Sequence, residues 1–139
     1  MIMQRSRIIL ADKHSNLLGG ICRLLENEGI TIVMVADKKS LYDALENYNP
    51  DVVLVDHSFF NSRKTNSRET NVAWALKKDF PKMKIIILST HDEKSAVDDA
   101  IASGVEGFVL KPRAVIDLIP ALREVLQGRK YIRPTMNDI

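Results

Sequence analysis

The sequence predicts an α/β fold: a five-stranded, doubly wound parallel sheet with helices on both faces. Five short apolar runs, rich in valine and isoleucine, do not alternate with polar residues, which is typical of parallel strands buried on both faces. A segment with helical spacing follows each run, and this alternation predicts a parallel sheet between two helical layers. The predicted strands are Ile8–Ala11, Ile30–Ala36, Val52–Val55, Ile85–Leu88 and Phe108–Leu110.

The helical segments repeat apolar residues every three or four positions and stop at residues that end helices. Asp37, after the second strand, is expected to begin the second helix. Pro120 lies inside the fifth pattern, where it is tolerated near a helix start and otherwise kinks the helix. The predicted helices are centred on Leu17–Leu25, Leu41–Tyr48, Val72–Leu76, Val97–Ile101 and Leu118–Leu126, and the stops are Gly29, Asn49-Pro50, Pro81, Gly104 and Gly128.

Length and composition limit the class of protein. With 139 residues, 45% of them apolar and 27% charged, the chain suits one globular domain. A net charge of +2 does not by itself demand nucleic acid or a membrane surface as partner. The single cysteine, Cys22, cannot form an internal disulfide, which fits a reducing compartment. Without an apolar run of roughly 20 residues, we expect a cytoplasmic protein with no membrane partner.

Polar and charged residues follow four of the five predicted strands. Ligands of open parallel α/β sheets bind beyond the carboxyl ends of the strands, so these residues are candidates for one shared site. They are Asp12, Lys13 and His14 after the first strand, Asp56 and His57 after the third, Ser89, Thr90 and His91 after the fourth, and Lys111 and Pro112 after the fifth.

Four motifs, each at the end of a predicted strand, carry a family resemblance: "IILADKH", "DVVLVDH", "IIILST" and "GFVLKP". In this order and spacing they resemble the receiver domain of a two-component response regulator over about residues 7–127. The resemblance implies a flavodoxin-like (βα)5 fold for residues 1–127. The remaining residues, 128–139, include "GRKYIRP", which is similar to the linker to the helix-turn-helix domain of LuxR/NarL-type regulators. We expect such a DNA-binding domain outside these residues, and the alternative is a stand-alone receiver.

The resemblance also implies a role for individual residues. Asp56 is the phosphoacceptor, Ser89 is the hydroxyl that follows the phosphoryl group, and Lys111 is the lysine that pairs with it. Phe108 takes the place of the switch aromatic, and a cis peptide bond precedes Pro112. Magnesium ligands are implied at three positions: the carboxylates of Asp12 and Asp56 and the backbone carbonyl of Ser58.

Elementary chemistry is consistent with these roles. A carboxylate that attacks a phosphoryl group needs neighbours that neutralise the developing charge. Lys111 can supply a mobile positive charge and Ser89 can donate one hydrogen bond. The alternative is that Asp12 and Asp56 cap helices and that Lys111 is a structural ion-pair partner.

Lys13 departs from the family pattern, which has a second acid at this position. With Lys13, the nominal charge of this position together with Asp12 and Asp56 changes from three negative charges to one. An ammonium near the cation would repel it by on the order of a few kcal/mol at an effective dielectric of about 20. We therefore expect a weakened or absent magnesium site. Lys13 can also pair with Asp56 in place of the ion, or point to solvent beside a weak but working site.

Residues 57–70 form a long polar loop that departs from the short turn of the family. Arg63, Lys64 and Arg68 make it basic, which suits partner docking, a segment that covers the phosphoryl group, or a mobile solvated loop. An altered turn can displace the carbonyl of Ser58 from the position of a magnesium ligand. Phe59 and Phe60 are expected to pack inward. The three histidines, His14, His57 and His91, leave a transition-metal or pH-sensing site as a minor alternative.

Two functions remain open. The first is a regulatory domain, not an enzyme, that takes a phosphoryl group from a histidine kinase or other phosphodonor, forms a homodimer and reaches DNA only through an output domain. The second is a phosphorylation-independent pseudo-receiver that serves as a dimerisation or protein-interaction module. A flavin enzyme of similar architecture is disfavoured because "DKHSN" offers no phosphate-cradling loop. No cofactor other than magnesium is expected.

Overall fold

The structure is a computed structural model that describes residues 6–13, 18–59, 72–90 and 94–132. Strands and helices alternate through these residues, as the sequence predicts. The strands are β1 (Arg7–Ala11), β2 (Thr31–Val35), β3 (Val52–Asp56), β4 (Ile85–Ser89), β5 (Gly107–Leu110) and β6 (Tyr131–Ile132). The helices are α1 (Leu18–Asn27), α2 (Lys38–Asn47), α3 (Val72–Asp79), α4 (Lys94–Ser103) and α5 (Ala114–Leu126), with a short 3-10 helix at Lys111–Arg113.

All strand pairs are parallel, and the strand order is β2-β1-β3-β4-β5-β6. The expected count of five strands is wrong by one, because Tyr131–Ile132 of the expected tail pair with β5. A two-residue strand has no apolar periodicity that the sequence alone could reveal. The prediction of strands buried on both faces is confirmed for β3, β4 and β5, whose residues are all buried. It is wrong for β2, an edge strand on which Met34 is 55% exposed.

Two apolar layers cover the sheet, which is the doubly wound arrangement. Apolar residues of α1 and α5 pack on one face with Ile8, Leu10 and Leu54. Residues of α2, α3 and α4 pack on the other face with Ile9 and Val53. Because side chains alternate along a strand, neighbouring residues of β1 enter opposite layers.

Helix ends follow the local sequence. Asp37 caps α2 as predicted, because its side chain accepts a 2.7 Å hydrogen bond from the backbone N–H of Ser40. Gly29 and Gly128, which follow α1 and α5, have φ values of 82° and 86°, where a Cβ would be strained. Pro120 lies in the seventh position of α5, on the exposed side, so the helix continues through it. None of the described helices is both long and apolar enough to cross a bilayer.

Candidate functional site

Four of the predicted site residues lie at the carboxyl ends of adjacent strands. Asp12 follows β1, Asp56 ends β3, Ser89 ends β4 and Lys111 follows β5. All four are buried, with Ser89 fully inaccessible and the other three less than a tenth exposed. Parallel pairing of β1, β3, β4 and β5 places these strand ends along one edge of the sheet. The sequence prediction that they share an edge is therefore confirmed for these residues.

Lys111 joins the two buried carboxylates. Its Nζ lies 2.8 Å from Oδ2 of Asp12 and 2.8 Å from Oδ1 of Asp56. Two carboxylates so close to each other repel in a site with little water, and one ammonium between them offsets that repulsion. The position of Lys111 depends on β5, because the strand ends at Leu110 and the 3-10 helix begins with Lys111 itself.

Asp56 is also held from its own turn. The hydroxyl of Ser58 donates a short hydrogen bond to Oδ2 of Asp56, and the backbone N–H of Ser58 lies 3.3 Å from the same oxygen. The backbone N–H of Phe59 donates to the carbonyl of Asp56, which closes the turn. Lys111 and Ser58 thus hold opposite oxygens of one carboxylate. The sequence prediction used only the carbonyl of Ser58 and missed its hydroxyl and its N–H, although an aspartate side chain often accepts a hydrogen bond from the backbone N–H two residues on.

These contacts determine the protonation of the site. Burial acts to raise the pKa of Asp56, but hydrogen bonds from Lys111 and Ser58 outweigh it and hold the pKa below its ordinary value. Burial acts to lower the pKa of Lys111, and its bonds to Asp12 and Asp56 outweigh that effect, so the pKa is raised. At neutral pH the site therefore holds an ionised Asp56 and a protonated Lys111.

Lys13 follows Asp12 in the sequence, but its side chain does not join the ion pairs of Lys111 with Asp12 and Asp56. Its side chain is exposed, and the ammonium group between the carboxylates belongs to Lys111. The option that Lys13 replaces the ion by pairing with Asp56 is therefore wrong in this structure. An exposed lysine keeps its charge in water, where its long stem can reach outward at little cost. It still supplies a positive charge at a position where the family pattern has a negative one.

The charges around Asp12 and Asp56, not the chemistry of the donor atoms, weigh against a magnesium ion. Magnesium is bound through carboxylates, carbonyls and water in an octahedral arrangement. Here Asp12 and Asp56 are the buried carboxylates, and Lys111 already neutralises both of them. Among these described side chains, the two lysines, Lys13 and Lys111, offset the two carboxylates, so this set of four carries no net charge to attract a dication. Among the residues described in the structure, no group of three or more His, Cys, Asp or Glu side chains could hold a metal ion.

Phe108 lies in the middle of β5, three residues before Lys111. It is fully buried in the apolar layer formed with α4, beside Val97 and Val105. The peptide bond before Pro112 is trans, so the expectation of a cis bond is wrong for this structure. Pro112 lies in the first turn of the 3-10 helix, where the fixed φ of a trans-linked proline fits without distortion.

The remaining candidates contribute less to the site. Phe59 is buried in the core as predicted, whereas Phe60, Arg63, Lys64 and Arg68 lie outside the described residues. His14 and His91, which form the three-histidine alternative together with His57, also lie outside them. The backbone N–H of His57 donates to the carbonyl of Leu88, which continues the pairing of β3 with β4 by one residue.

Comparison with known proteins gives a consistent family. Residues 8–123 match the response regulator receiver domain. The chain is 33% identical over 130 residues to the transcriptional regulatory protein DegU of Brevibacillus brevis, covering 92% of this chain and 53% of DegU. It is 27% identical over 128 residues to the oxygen regulatory protein NreC of Staphylococcus aureus, covering 91% of this chain and 57% of NreC. The chain thus spans about half the length of these curated relatives.

Solved structures share the fold. The isolated REC domain of RcsB from Salmonella enterica serovar Typhimurium, in the presence of phosphomimetic BeF3-, superposes with a TM-score of 0.79 at 27% identity. That comparison covers 94% of each chain. The non-phosphorylated receiver domain of the stress response regulator RcsB from Escherichia coli gives a TM-score of 0.79 at 28% identity, covering 94% of this chain and 99% of that one.

Proposed function

Because the chain belongs to the response regulator receiver family, we propose that Asp56 accepts a phosphoryl group and that this controls an output domain. One observation carries the proposal. Asp56 is a buried, ionised carboxylate at a strand end, 2.8 Å from a lysine ammonium that can neutralise incoming phosphoryl oxygens. Phosphoryl transfer needs little covalent chemistry from the protein beyond this positioning and charge stabilisation.

The reaction is a displacement at phosphorus. An oxygen of Asp56 forms the new P–O bond, and the P–N bond to the phosphodonor histidine breaks, with its electron pair remaining on nitrogen. Lys111 stabilises the charge on the transferred group, and the hydroxyl of Ser89 donates one hydrogen bond to it. Lys111 contacts one oxygen of Asp56 and Ser58 contacts the other, and the oxygen bound to Lys111 keeps a second lone pair that can attack phosphorus.

Magnesium contributes weakly or not at all in this proposal. Receiver domains normally bind magnesium in an acidic pocket. Here Lys13 replaces an acid, and Lys111 satisfies the two buried carboxylates, Asp12 and Asp56. We therefore expect phosphorylation of Asp56 to be slow and nearly independent of magnesium. The magnesium ligands assigned from the resemblance, Asp12, Asp56 and the carbonyl of Ser58, define the weak site.

The proposed partners follow from this chemistry. A histidine kinase or another phosphodonor supplies the phosphoryl group in the cytoplasm, and the phosphorylated chain forms a homodimer. DNA is reached only through an output domain that follows the receiver. The relatives DegU and NreC carry regulatory names and are about twice the matched length, which supports an additional domain in proteins of this type. The boundary at residue 127 remains a prediction.

The mass of the intact protein tests the proposal directly. Purified protein is incubated with acetyl phosphate, with and without magnesium, beside an Asp56→Asn variant of verified fold. We expect the mass of one phosphoryl group to be added to the native chain, with little dependence on magnesium, and nothing to be added to the variant. Equal labelling of both proteins would assign the phosphoryl group to another residue.

The pseudo-receiver is the second candidate, and the neutralised pocket favours it. With Asp12 and Asp56 both paired to Lys111, the site is electrostatically satisfied without a ligand. In that case the native chain takes up no phosphoryl group from acetyl phosphate or from histidine kinases, and it binds its partner regardless of phosphodonor. Labelling of Asp56 would exclude this candidate.

A further inference from the structure

The sheet carries an additional strand that the predicted fold does not account for. Tyr131 and Ile132 form β6, which pairs with Gly107 and Phe108 of β5. The backbone N–H of Tyr131 donates a 2.9 Å hydrogen bond to the carbonyl of Glu106. Without β6, β5 would form the exposed edge of the sheet on this side.

A tight reversal after α5 places this strand. Gly128 adopts a φ of 86°, and the backbone N–H of Arg129 donates to the carbonyl of Glu124, so the chain turns back on itself. Because β6 is parallel to β5, it runs towards the edge of the sheet that carries Lys111. Tyr131 and Ile132 therefore lie beside β5 and run in the direction of the phosphoacceptor edge.

The pairing is short. β6 has two residues, and the side chains of Tyr131 and Ile132 are only half-buried. They contact opposite layers of the core, Tyr131 on the side of α5 and Ile132 on the side of α4. A strand this short contributes little stability by itself and opens more readily than the central strands. A change in β5 can therefore act directly on the pairing of this strand.

Two routes connect this strand to the pocket. Along β5, Phe108 is in register with Ile132, and the strand ends at Leu110 immediately before Lys111. Through the next turn, the side chain of Arg113 binds Asp117 at 3.0 Å, and the hydroxyl of Tyr131 lies 3.4 Å from the other oxygen of Asp117. Asp117 is buried, and it contacts both Arg113 and Tyr131, so it links the turn after Lys111 to β6.

We propose that Tyr131–Ile132 form a reversible strap whose docking on β5 is coupled to the ion pairs of Lys111. The strap is docked while Lys111 bridges Asp12 and Asp56, and it is loosened when those contacts are broken. The pocket thereby controls where the following segment begins. The proposal rests on the proposed function in one respect: phosphorylation of Asp56 is taken as the event that breaks the contacts of Lys111 with Asp12 and Asp56 in the cell.

Amide hydrogen exchange tests the coupling without phosphorylation. The Tyr131 amide is followed by NMR in the native chain, in Lys111→Met, and in Asp12→Asn as a milder second variant. We expect several-fold faster exchange at Tyr131 in both variants. The Thr31 amide, bonded to Ser6 at the opposite edge, should be unchanged. The control is Lys39→Met, which removes an exposed ion pair on α2. Unchanged exchange at Tyr131 in both pocket variants would overturn the proposal.

Coupling must also act in the reverse direction, because linkage between two sites is reciprocal. We expect Ile132→Ala to raise the equilibrium extent of phosphoryl uptake at Asp56 several-fold, because a loosened strap favours the state in which the Lys111 contacts are broken. Lys130→Ala, one residue before the strap, leaves the extent unaltered. An identical or lower extent for Ile132→Ala than for the native chain would contradict the coupling. If the native chain takes up no phosphoryl group, the proposed function is wrong, and the exchange measurement alone decides the strap.

Discussion

At the scale of single residues, the site depends on which lysine reaches the carboxylates. Lys111 bridges Asp12 and Asp56, whereas Lys13 is exposed. The family resemblance implies a site role for Lys111, but it leaves Lys13, which is adjacent to Asp12, either paired with Asp56 or pointing to solvent. The ammonium of Lys111 arrives because β5 ends at the same edge as β1 and β3. Lys13 is therefore placed to act on the site through its charge and not by pairing with these carboxylates.

The first residue-scale prediction concerns magnesium. Replacing Lys13 with Asp restores an acid at this position and changes the local charge by two units. At a separation of several ångströms and an effective dielectric of about 20, such a change is worth a few kcal/mol, so we expect magnesium to bind about tenfold tighter or more. Isothermal titration of both proteins measures this. Lys39→Asp, an equal charge change on α2, should leave the affinity unaltered; equal gains in both variants would contradict a local effect.

The second residue-scale prediction concerns pH. Since the pKa of Asp56 is lowered in the folded protein, its ionised form stabilises the fold above the unfolded pKa of about 3.9, and this contribution is lost as the pH falls through the folded value. Between pH 7 and pH 3 the native chain should therefore lose more unfolding free energy than Asp56→Asn, which has no carboxylate at this position to protonate. Urea unfolding at each pH measures it, and a constant difference would contradict the assignment.

At the scale of elements, α5 continues through Pro120. The ring has no N–H to donate to the carbonyl of Ile116, one turn earlier. Pro120 and Ile116 are both exposed, so water can satisfy that carbonyl, and the opposite side of the helix remains packed through Leu118, Leu122 and Val125. Burial along one face thus outweighs a local helix breaker, which is why the sequence left the effect of this proline open.

Pro120→Ala is the corresponding prediction. The substitution adds one backbone hydrogen bond and a good helix former, partly offset by greater freedom of the unfolded chain. We expect a gain of about 1–2 kcal/mol in the free energy of unfolding, measured by urea denaturation. Val115→Ala, at a 73% exposed position of the same helix, should change it by less. A loss of stability in Pro120→Ala would mean that the proline is required for the local geometry.

At the scale of the whole molecule, the question is whether the pocket changes how copies of the chain associate. We expect phosphodonor treatment to shift the native chain towards a dimer, as seen by sedimentation velocity. Asp56→Asn should show the same distribution with and without phosphodonor. A native chain that is dimeric to the same extent under all conditions would support the pseudo-receiver instead.

The hydrophobic pattern of the sequence did not predict the order of the strands in the sheet. It did predict which segments form strands and that most of them are buried. Apolar runs such as Val52–Val55 are buried because continuous hydrophobic segments require cover on both faces, and this is a local property of the sequence. Whether a run lies at the centre or at the edge is not local, which is why Met34 of β2 is exposed contrary to expectation. The two-residue β6 was missed for the same reason, since its pairing depends entirely on β5.

The sequence by itself determined the alternation of strands and helices, the helix ends and the acids and lysine at one edge of the sheet, because each depends on neighbouring residues or on the general geometry of parallel sheets. Only the tertiary structure decided that Lys111, not Lys13, neutralises Asp12 and Asp56, that Ser58 holds Asp56 through its hydroxyl, and that Tyr131 docks on β5. These are contacts between side chains or strands brought together by folding, and their distances are set by packing of the whole domain.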